Sequence, residues 1–564
     1  MNLQGTHISR LKSAWSWIDE HALILIVGFL FAFIPLYPKI PIADILPGYI
    51  VRLRLDDLLI AGASVVWGIQ LLRKKATLNT PLTIMIALYL LVGLASSFSA
   101  IYWTHTVPMS FVHIEKLFLH YIRRIEYFSL FFIAYSALKK KEHIRKLLIV
   151  FCVTAALVSL YGVGQKYLYW PVYSTMNREF SKGLRLYLTE HARVQSTFGG
   201  HYDYAAYLTM ALPIIVALAT VVRKRITFIA LCATFLVSLW GLMMTSSRSS
   251  FLAYIFALTI LLIIFAVRKG WIWLITRSIV LYGVTAIFLV FFGDLLLRFG
   301  QIFQDNSAYL AFQQSVEQAK QIAQRPIVKE PANGISIDDV AKAAAVAAVI
   351  DKSDTQPVQD LPSDVYDNIP AMVIATRSAE GKEMIIVIPR VFSENAHRLG
   401  LSAAIRLDTL WPFAIRGFLR TPWLGSGYST LTKYTNDQFT EAESTDNDFL
   451  RTLGETGALG FITFYGTMVI AVIYLCKRYS DTKDGFLYLF SAVLTATTAG
   501  LMVNAVYIDV FVSSKVILTY WLLVGVLLAY AKIALPKQDA NAVLVNVLAK
   551  PTTQSVAKPK KHAP

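Results

Sequence analysis

Roughly twelve apolar runs, each close to the ~20 residues a helix needs to cross the hydrocarbon core, constrain this chain more than any other feature. They fall at 21–37, 55–72, 81–100, 122–138, 144–167, 204–222, 226–245, 249–267, 271–292, 456–475, 486–506 and 511–532. The 564-residue chain is 56% hydrophobic, with a mean hydropathy of +0.53, beyond what a water-soluble protein of this size tolerates. The fold class expected is an all-α polytopic membrane protein with about twelve transmembrane helices. The first run is too long for a removed signal peptide and has no small-residue cleavage pattern after it, so it reads as a retained signal anchor.

The formal net charge is +17, yet its excess sits in short clusters between the apolar runs and in the C-terminal tail. That placement speaks for membrane topology and against nucleic-acid binding. Arg73-Lys-Lys75, Lys139-Lys-Lys141 with Arg145 and Lys146, Arg223-Lys-Arg225, Arg268-Lys269 and Lys477-Arg478 all fall in alternate connectors. By the positive-inside rule those connectors and both termini are cytoplasmic. Cys152, Cys232 and Cys476 lie in or at the ends of apolar runs without paired spacing, so neither a metal site nor a disulfide framework is expected. The tail, rich in Ala, Lys, Pro and Thr, reads as a disordered cytoplasmic segment, with Lys558, Lys560 and Lys561 near anionic lipid.

Connectors on the opposite, outside face should be poor in Lys and Arg, and several are not. Lys116, Arg123 and Arg124 flank the fourth run; Arg178, Lys182, Arg185 and Arg193 fill the connector before the sixth; Arg248 stands in Thr245-Ser-Ser-Arg-Ser-Ser250. An ionised group at membrane depth costs a few kcal/mol unless solvated or paired, so such residues face a cavity, a ligand or headgroups. For Arg248 the choice is between a diphosphate, which suits the planar guanidinium fork, and snorkelling or pairing with a carboxylate. His201 and Asp203, in Gly199-Gly-His-Tyr-Asp203, fit either sugar binding and proton transfer or an interfacial polar belt.

Between the ninth and tenth runs lies a polar stretch of about 160 residues, far longer than an ordinary connection. Ser336-Ile-Asp-Asp339 caps an expected helix through Ile350. Two strands are expected at 371–375 and 383–388 around Ser378-Ala-Glu-Gly381, giving a small α+β insertion. A helical pattern resumes at Ser393, is interrupted at Pro412, and carries Arg398, Arg406, Arg416 and Arg420. Arg406 and Arg416 are close to three turns apart, so a straight helix puts both on one face, although Pro412 interrupts it. The alternative is an amphipathic helix lying on the membrane. The stretch ends in Ser444-Thr-Asp-Asn-Asp-Phe-Leu-Arg-Thr-Leu-Gly-Glu-Thr-Gly457, where Asp446, Asn447 and Asp448 suit helix capping as well as chemistry.

Four pieces in this order resemble the O-antigen ligase and O-antigen polymerase superfamily of bacterial membrane glycosyltransferases. They are Ser196-Thr-Phe-Gly-Gly-His-Tyr-Asp-Tyr-Ala-Ala-Tyr207; Ser246-Ser-Arg-Ser-Ser-Phe-Leu-Ala253; Arg406-Leu-Asp-Thr-Leu-Trp411 with Pro422-Trp-Leu-Gly-Ser-Gly427; and Asp446-Asn-Asp-Phe-Leu450 with Glu455-Thr-Gly457. The resemblance covers most of the chain except the strand-bearing segment and the tail. It implies a GT-C-like bundle at the bacterial plasma membrane with its active site outside. It also implies a donor of undecaprenyl diphosphate carrying a glycan, and a glycan, lipid or protein acceptor whose hydroxyl attacks the anomeric carbon with inversion.

In such enzymes arginines hold the diphosphate. Arg248 matches the one in the short connector, while Arg406 and Arg416 match the loop positions, and Arg193, His201 and Asn447 complete the expected substrate-binding set. Ligases of the family commonly place His before the Asn of the last motif, where this chain has Asp446. An unperturbed Asp, with a pKa near 3.9, is a weaker base at neutral pH than an imidazole near 6.5. Asp446 is therefore the candidate base or acceptor-orienting group, and Arg248 its catalytic partner. Asp446 and Asp448 together also suit a divalent cation, but the surrounding arginines already supply positive charge, so no metal and no cofactor is expected.

The organisation expected is transmembrane helices 1–9 over 1–292, an extracytoplasmic loop over 293–455 with its insertion at about 333–392, transmembrane helices 10–12 over 456–533, and the tail over 534–564. Polymerisation of repeat units fits the missing His at least as well as ligation. A transporter of lipid-linked glycans and a non-catalytic binder of them are the rival readings.

Overall fold

The computed structural model describes residues 3–46, 52–176, 180–300, 372–377, 383–388, 405–431 and 445–534. Along the chain run α1 (Leu3–Leu36), β1 (Pro41–Asp44), β2 (Arg52–Arg54), α2 (Leu55–Leu72), α3 (Thr83–Tyr102), α4 (Phe111–Ala137), α5 (Lys141–Tyr167), α6 (His201–Ala219), α7 (Arg225–Met244), α8 (Arg248–Lys269), α9 (Trp271–Phe291) and α10 (Leu295–Gly300). These are followed by β3 (Met372–Arg377), β4 (Glu383–Ile388), a π-helical turn (Arg406–Leu410), α11 (Trp411–Arg420), α12 (Asp448–Thr482), α13 (Gly485–Ala505) and α14 (Ser514–Ile533).

Among the described residues, 11 helices are long and apolar enough to cross a membrane, and the chain is an all-α polytopic membrane protein. The expected fourth span corresponds to α4, which has the length but is interrupted by Glu115, Lys116, Arg123, Arg124 and Glu126. It nevertheless packs along α14. That helix is buried over almost its whole length and forms the centre of the bundle. Gly525 lets α4 approach it closely: a Cβ there would stand 2.6 Å from the Phe131 carbonyl oxygen. α9, by contrast, buries only Thr285 and lies at the edge.

The sequence reading did not foresee β1 and β2, a short antiparallel hairpin ahead of α2. The two strands expected in the polar stretch are present as β3 and β4, paired antiparallel from Met372↔Ile388 to Arg377↔Glu383. The helix expected at 336–350, Arg178, Arg398 and the C-terminal tail lie outside the described residues.

Connectors gather at the two ends of the bundle. At one end Arg73 and Lys75 pair with Asp19, and Lys269 bonds to the Thr220 carbonyl, so the basic clusters collect there. At the other end Lys39 meets Asp203, Arg123 meets Asp57, Val194 bonds to Met244 and Thr106 bonds to Ser426. The candidate site lies at this second end.

Here α12 is broken at Gly457, whose φ of 68° and ψ of −169° divide it into a short first segment and the spanning part. Essentially only glycine occupies that backbone region. A Cβ at this position would also stand 2.3 Å from the Trp423 carbonyl carbon. Gly457→Ala should therefore lower the thermal unfolding midpoint in nanodiscs, with at least the ~1–3 kcal/mol of such backbone strain. Gly68→Ala, on a helix with nothing within 4 Å, should leave it unchanged or raised; equal midpoints for both variants would contradict the account.

Candidate functional site

The site is organised by the connector between α13 and α14, residues 506–513. At its start Asn504 accepts a hydrogen bond from the Ser250 hydroxyl at 3.2 Å, tying it to the beginning of α8. One turn later Tyr507 lies under the Arg406 guanidinium, 5.9 Å from its ring centre. Asp509 then accepts the backbone amides of Thr445 and Asn447, both at 3.0 Å, and Arg451 at 2.7 Å. The Phe511 amide donates to Asp448. Beyond it, buried Lys515 donates to the carbonyls of Pro35, Tyr37 and Thr197. The connector is short and mostly apolar, with Asp509 its only charged residue, yet its bonds reach Arg406, the 445–448 segment and Arg451.

Those bonds determine how the Asp446-Asn447-Asp448 motif is presented. Asn447 caps α12, its side-chain oxygen accepting the Leu450 amide at 3.0 Å. With the amides on either side drawn to Asp509, Asp446 adopts a left-handed φ of 52°, a conformation Asp tolerates better than most residues. Its side chain is turned outward, 34% exposed, and lies 3.2 Å from Arg406. Asp448, two residues on, is 2% exposed and engaged with Phe511. The two carboxylates thus have different partners, and one alone faces the solvent.

Beneath this motif lies a buried ionic lattice. Arg451 reaches Glu455 at 3.0 Å and Asp509 at 2.7 Å. Glu455 also accepts the Ser429 amide at 3.0 Å and lies 3.9 Å from Arg124, which is stacked between Tyr127 and Tyr428. Burial pushes the Tyr428 hydroxyl well above its ordinary pKa. Glu455 is thus held inside the protein by the Ser429 amide and two guanidiniums. A small cavity lined by Tyr89, Arg124, Tyr428, Asp448, Arg451 and Glu455 sits within the lattice; Asp446, Arg406 and Arg248 do not line it.

On the other side of the connector a basic cluster forms around the starts of α6 and α8. Arg193 is 2.8 Å from Nε2 of His201, the buried first residue of α6. A guanidinium can only donate, so Nε2 accepts. Arg248 opens α8 behind Ser247, which caps the helix through the Ser250 amide. Its guanidinium donates to the carbonyl of Arg298 on α10 at 3.0 Å. Arg298 is itself 9% exposed, and its charge reaches His201. Behind this cluster Lys39 lies buried 3.4 Å from Asp203; burial holds its pKa below the ordinary lysine value, and the Asp203 charge opposes that shift.

The structure pairs Arg193 with His201, Arg248 with the Arg298 carbonyl and Arg406 with Asp446, next to Asn447, all at the same end of the bundle. It does not bring Arg416 to them. The π-helical turn over Arg406–Leu410 changes the register ahead of Pro412, leaving Arg406 buried and Arg416 exposed, stacked on Phe413 at 4.5 Å. Arg123 pairs instead with Asp57 and Glu126, and Arg124 lies beside Glu455. Sequence reasoning missed Arg298, Arg451 and Asp509. The four-residue spacing from Arg451 to Glu455 was a usable signal for an ion pair on one helix face. Asp509 offered only a lone acid in a short connector.

Residues 233–465 match the family described as O-antigen ligase. The matched stretch runs from α7 into α12, so it includes Arg248, Arg298, Arg406, Asp446 and Arg451 and ends before Asp509. No curated protein matches the chain. Over the matched stretch, which is less than half of the chain, the protein is similar to the O-antigen ligase family.

Proposed function

We propose that the protein is a glycosyltransferase of the bacterial plasma membrane that moves a glycan from undecaprenyl diphosphate to an acceptor hydroxyl on the outer face. The observation that carries this reading is the convergence of Arg193, Arg248, Arg298 and Arg406 with one solvent-facing carboxylate, Asp446, at a single end of the bundle. Fixed guanidiniums suit a diphosphate, because each presents a planar fork of N–H donors that can grip two oxygens of a charged phosphate at once.

In the reaction the acceptor oxygen attacks the anomeric carbon from the side opposite the diphosphate. The bond from that carbon to the diphosphate oxygen breaks with its electron pair on the leaving group. Arg248 and its neighbours stabilise the charge that develops there. Asp446 orients the acceptor hydroxyl and takes its proton, while Arg406 positions the carboxylate. A single displacement inverts the anomeric centre. Guanidinium groups supply the positive charge, so the step is written without a metal; Asp448, bonded inward to Phe511, does not join Asp446 in a paired-carboxylate cation site.

The test is to incubate purified protein with a defined undecaprenyl diphosphate glycan and a panel of acceptors: a lipid A core, a second lipid-linked glycan and a protein. Released carrier and an extended product are expected, and the productive acceptor distinguishes ligation from polymerisation and protein glycosylation. Arg248→Ala should reduce turnover by at least ~10²-fold, the loss typical of removing one preorganised charge stabiliser, while the protein still enters the membrane. Movement of the lipid-linked glycan across proteoliposomes without acceptor and without bond cleavage would instead identify a transporter.

A further inference from the structure

α11 is the most strongly two-faced of the described helices. One face is covered by protein: Leu410 and Ala414 are buried, and Gly454 of α12 stands against Leu431 and the Ala414 backbone. The other carries Ile415 and Leu419, 44% and 66% exposed and one helical turn apart, and the ridge is extended by Trp423, 67% exposed, in the turn just past the helix end. Arg416 and Arg420 lie exposed beside the ridge. Arg416 is folded back over Phe413, its Nε donating to the Pro412 carbonyl at 3.3 Å.

What covers the ridge follows from what it joins. The Leu459 amide bonds to the Trp423 carbonyl at 3.3 Å, just past the break at Gly457 where the spanning part of α12 begins. From there Leu459, Ile462, Val469 and Ile473, 39%, 59%, 46% and 56% exposed, continue as a stripe at helical spacing down a helix apolar enough to cross the membrane. An exposed apolar stripe on a membrane-spanning helix faces lipid. The α11 ridge is its upward continuation, with guanidiniums placed at the level where the stripe meets the headgroups.

We propose that α11 is an interfacial helix seated in the headgroup layer at the site end of the bundle. Ile415, Leu419 and Trp423 enter the upper acyl chains, and Arg416 and Arg420 contact phospholipid phosphates. The helix descends obliquely, since Ala414 lies beside Gly454 while Trp423 lies beside Gly457, nearer the spanning segment. Arg416 is then a lipid contact and not a ligand of the transferred group. The bilayer itself sets the depth of residues 421–431, which hand backbone amides of Ser426, Gly427 and Ser429 to Gly454 and Glu455. This inference does not rest on the proposed reaction, because its test needs no turnover.

Nitroxide labels placed one at a time at positions 415, 416, 419 and 423, in protein with Cys152, Cys232 and Cys476 replaced by Ala, are read by power saturation. The protein sits in nanodiscs of phosphatidylethanolamine and phosphatidylglycerol. Accessibility to oxygen relative to a water-soluble nickel chelate should be several-fold higher at 419 and 423 than at 416, and should rise from 415 to 423. Preference for nickel at 419 and 423 would overturn the proposal, as would protection from both reagents, which would mean a cover of protein from this chain or a second copy. Should the cysteine-free protein not fold, a benzophenone amino acid at Leu419 in the native background gives a second reading. Phospholipid adducts by mass spectrometry support the proposal, and crosslinks to protein refute it.

Discussion

Asp446→Ala should abolish transfer to within detection, a loss of ~10²–10⁴-fold if the carboxylate acts as a general base, with the protein still inserted and folded. The expectation rests on geometry: of the three polar residues in the motif, Asn447 caps α12 and Asp448 is bonded inward, so Asp446 alone is presented outward. Asp446→Asn separates its two proposed duties. The amide still orients a hydroxyl but takes no proton, so residual turnover well above that of the Ala variant assigns the residue to positioning. Asp446→His should retain more activity than Asp446→Asn, and that activity should fall as the pH drops through the imidazole range near 6.5, where protonation removes the base. Release of undecaprenyl diphosphate, followed by mass spectrometry, reads all three. Full turnover in the Ala variant would remove Asp446 from the site.

Arg451→Ala should destabilise the protein by about 3–5 kcal/mol, the usual result of stripping one partner from a buried ion pair. Arg451 is 4% exposed and lies between Glu455 and Asp509, so its removal leaves both carboxylates without their nearest guanidinium. Asp509 would then hold the Thr445 and Asn447 amides less firmly, and the left-handed turn at Asp446 would loosen with it. A triple variant, Arg451→Met with Glu455→Gln and Asp509→Asn, should recover part of the unfolding midpoint, because neutral groups are cheaper to bury than unpaired charges. It should not recover turnover to the same degree, since an amide at 509 offers one acceptor oxygen where the carboxylate offers two. An unchanged midpoint in Arg451→Ala would show that the lattice contributes little.

How legible the site was depended on the distance over which each of its contacts acts. The Asn447 cap and the Arg451–Glu455 pair are local, spanning three and four residues, and their residue types and spacing are visible in any reading of the chain. Arg248 was legible for a related reason: a charge between two apolar runs so closely joined has to lie at membrane depth. The alignment of Arg406 with Arg416 misled because it assumed a regular helix, and a single π-helical turn separates their faces. Arg298 and Asp509 were missed because each acts across the bundle, Asp509 on amides 62 and 64 residues away.

Hydropathy by itself determined the membrane class, most helix positions and the break between the ninth and tenth spans, because a helix must supply about 20 apolar residues to cross lipid wherever it lies in the chain. Local polarity and spacing determined which short segments were candidates for chemistry. Only the tertiary structure decided which member of the Asp446-Asn447-Asp448 motif faces the solvent, that Arg406 lies beside it and that Arg416 stands apart. Those outcomes turn on the sign of one backbone torsion and on bonds from a single connector, and both depend on helices far apart in sequence packing side by side.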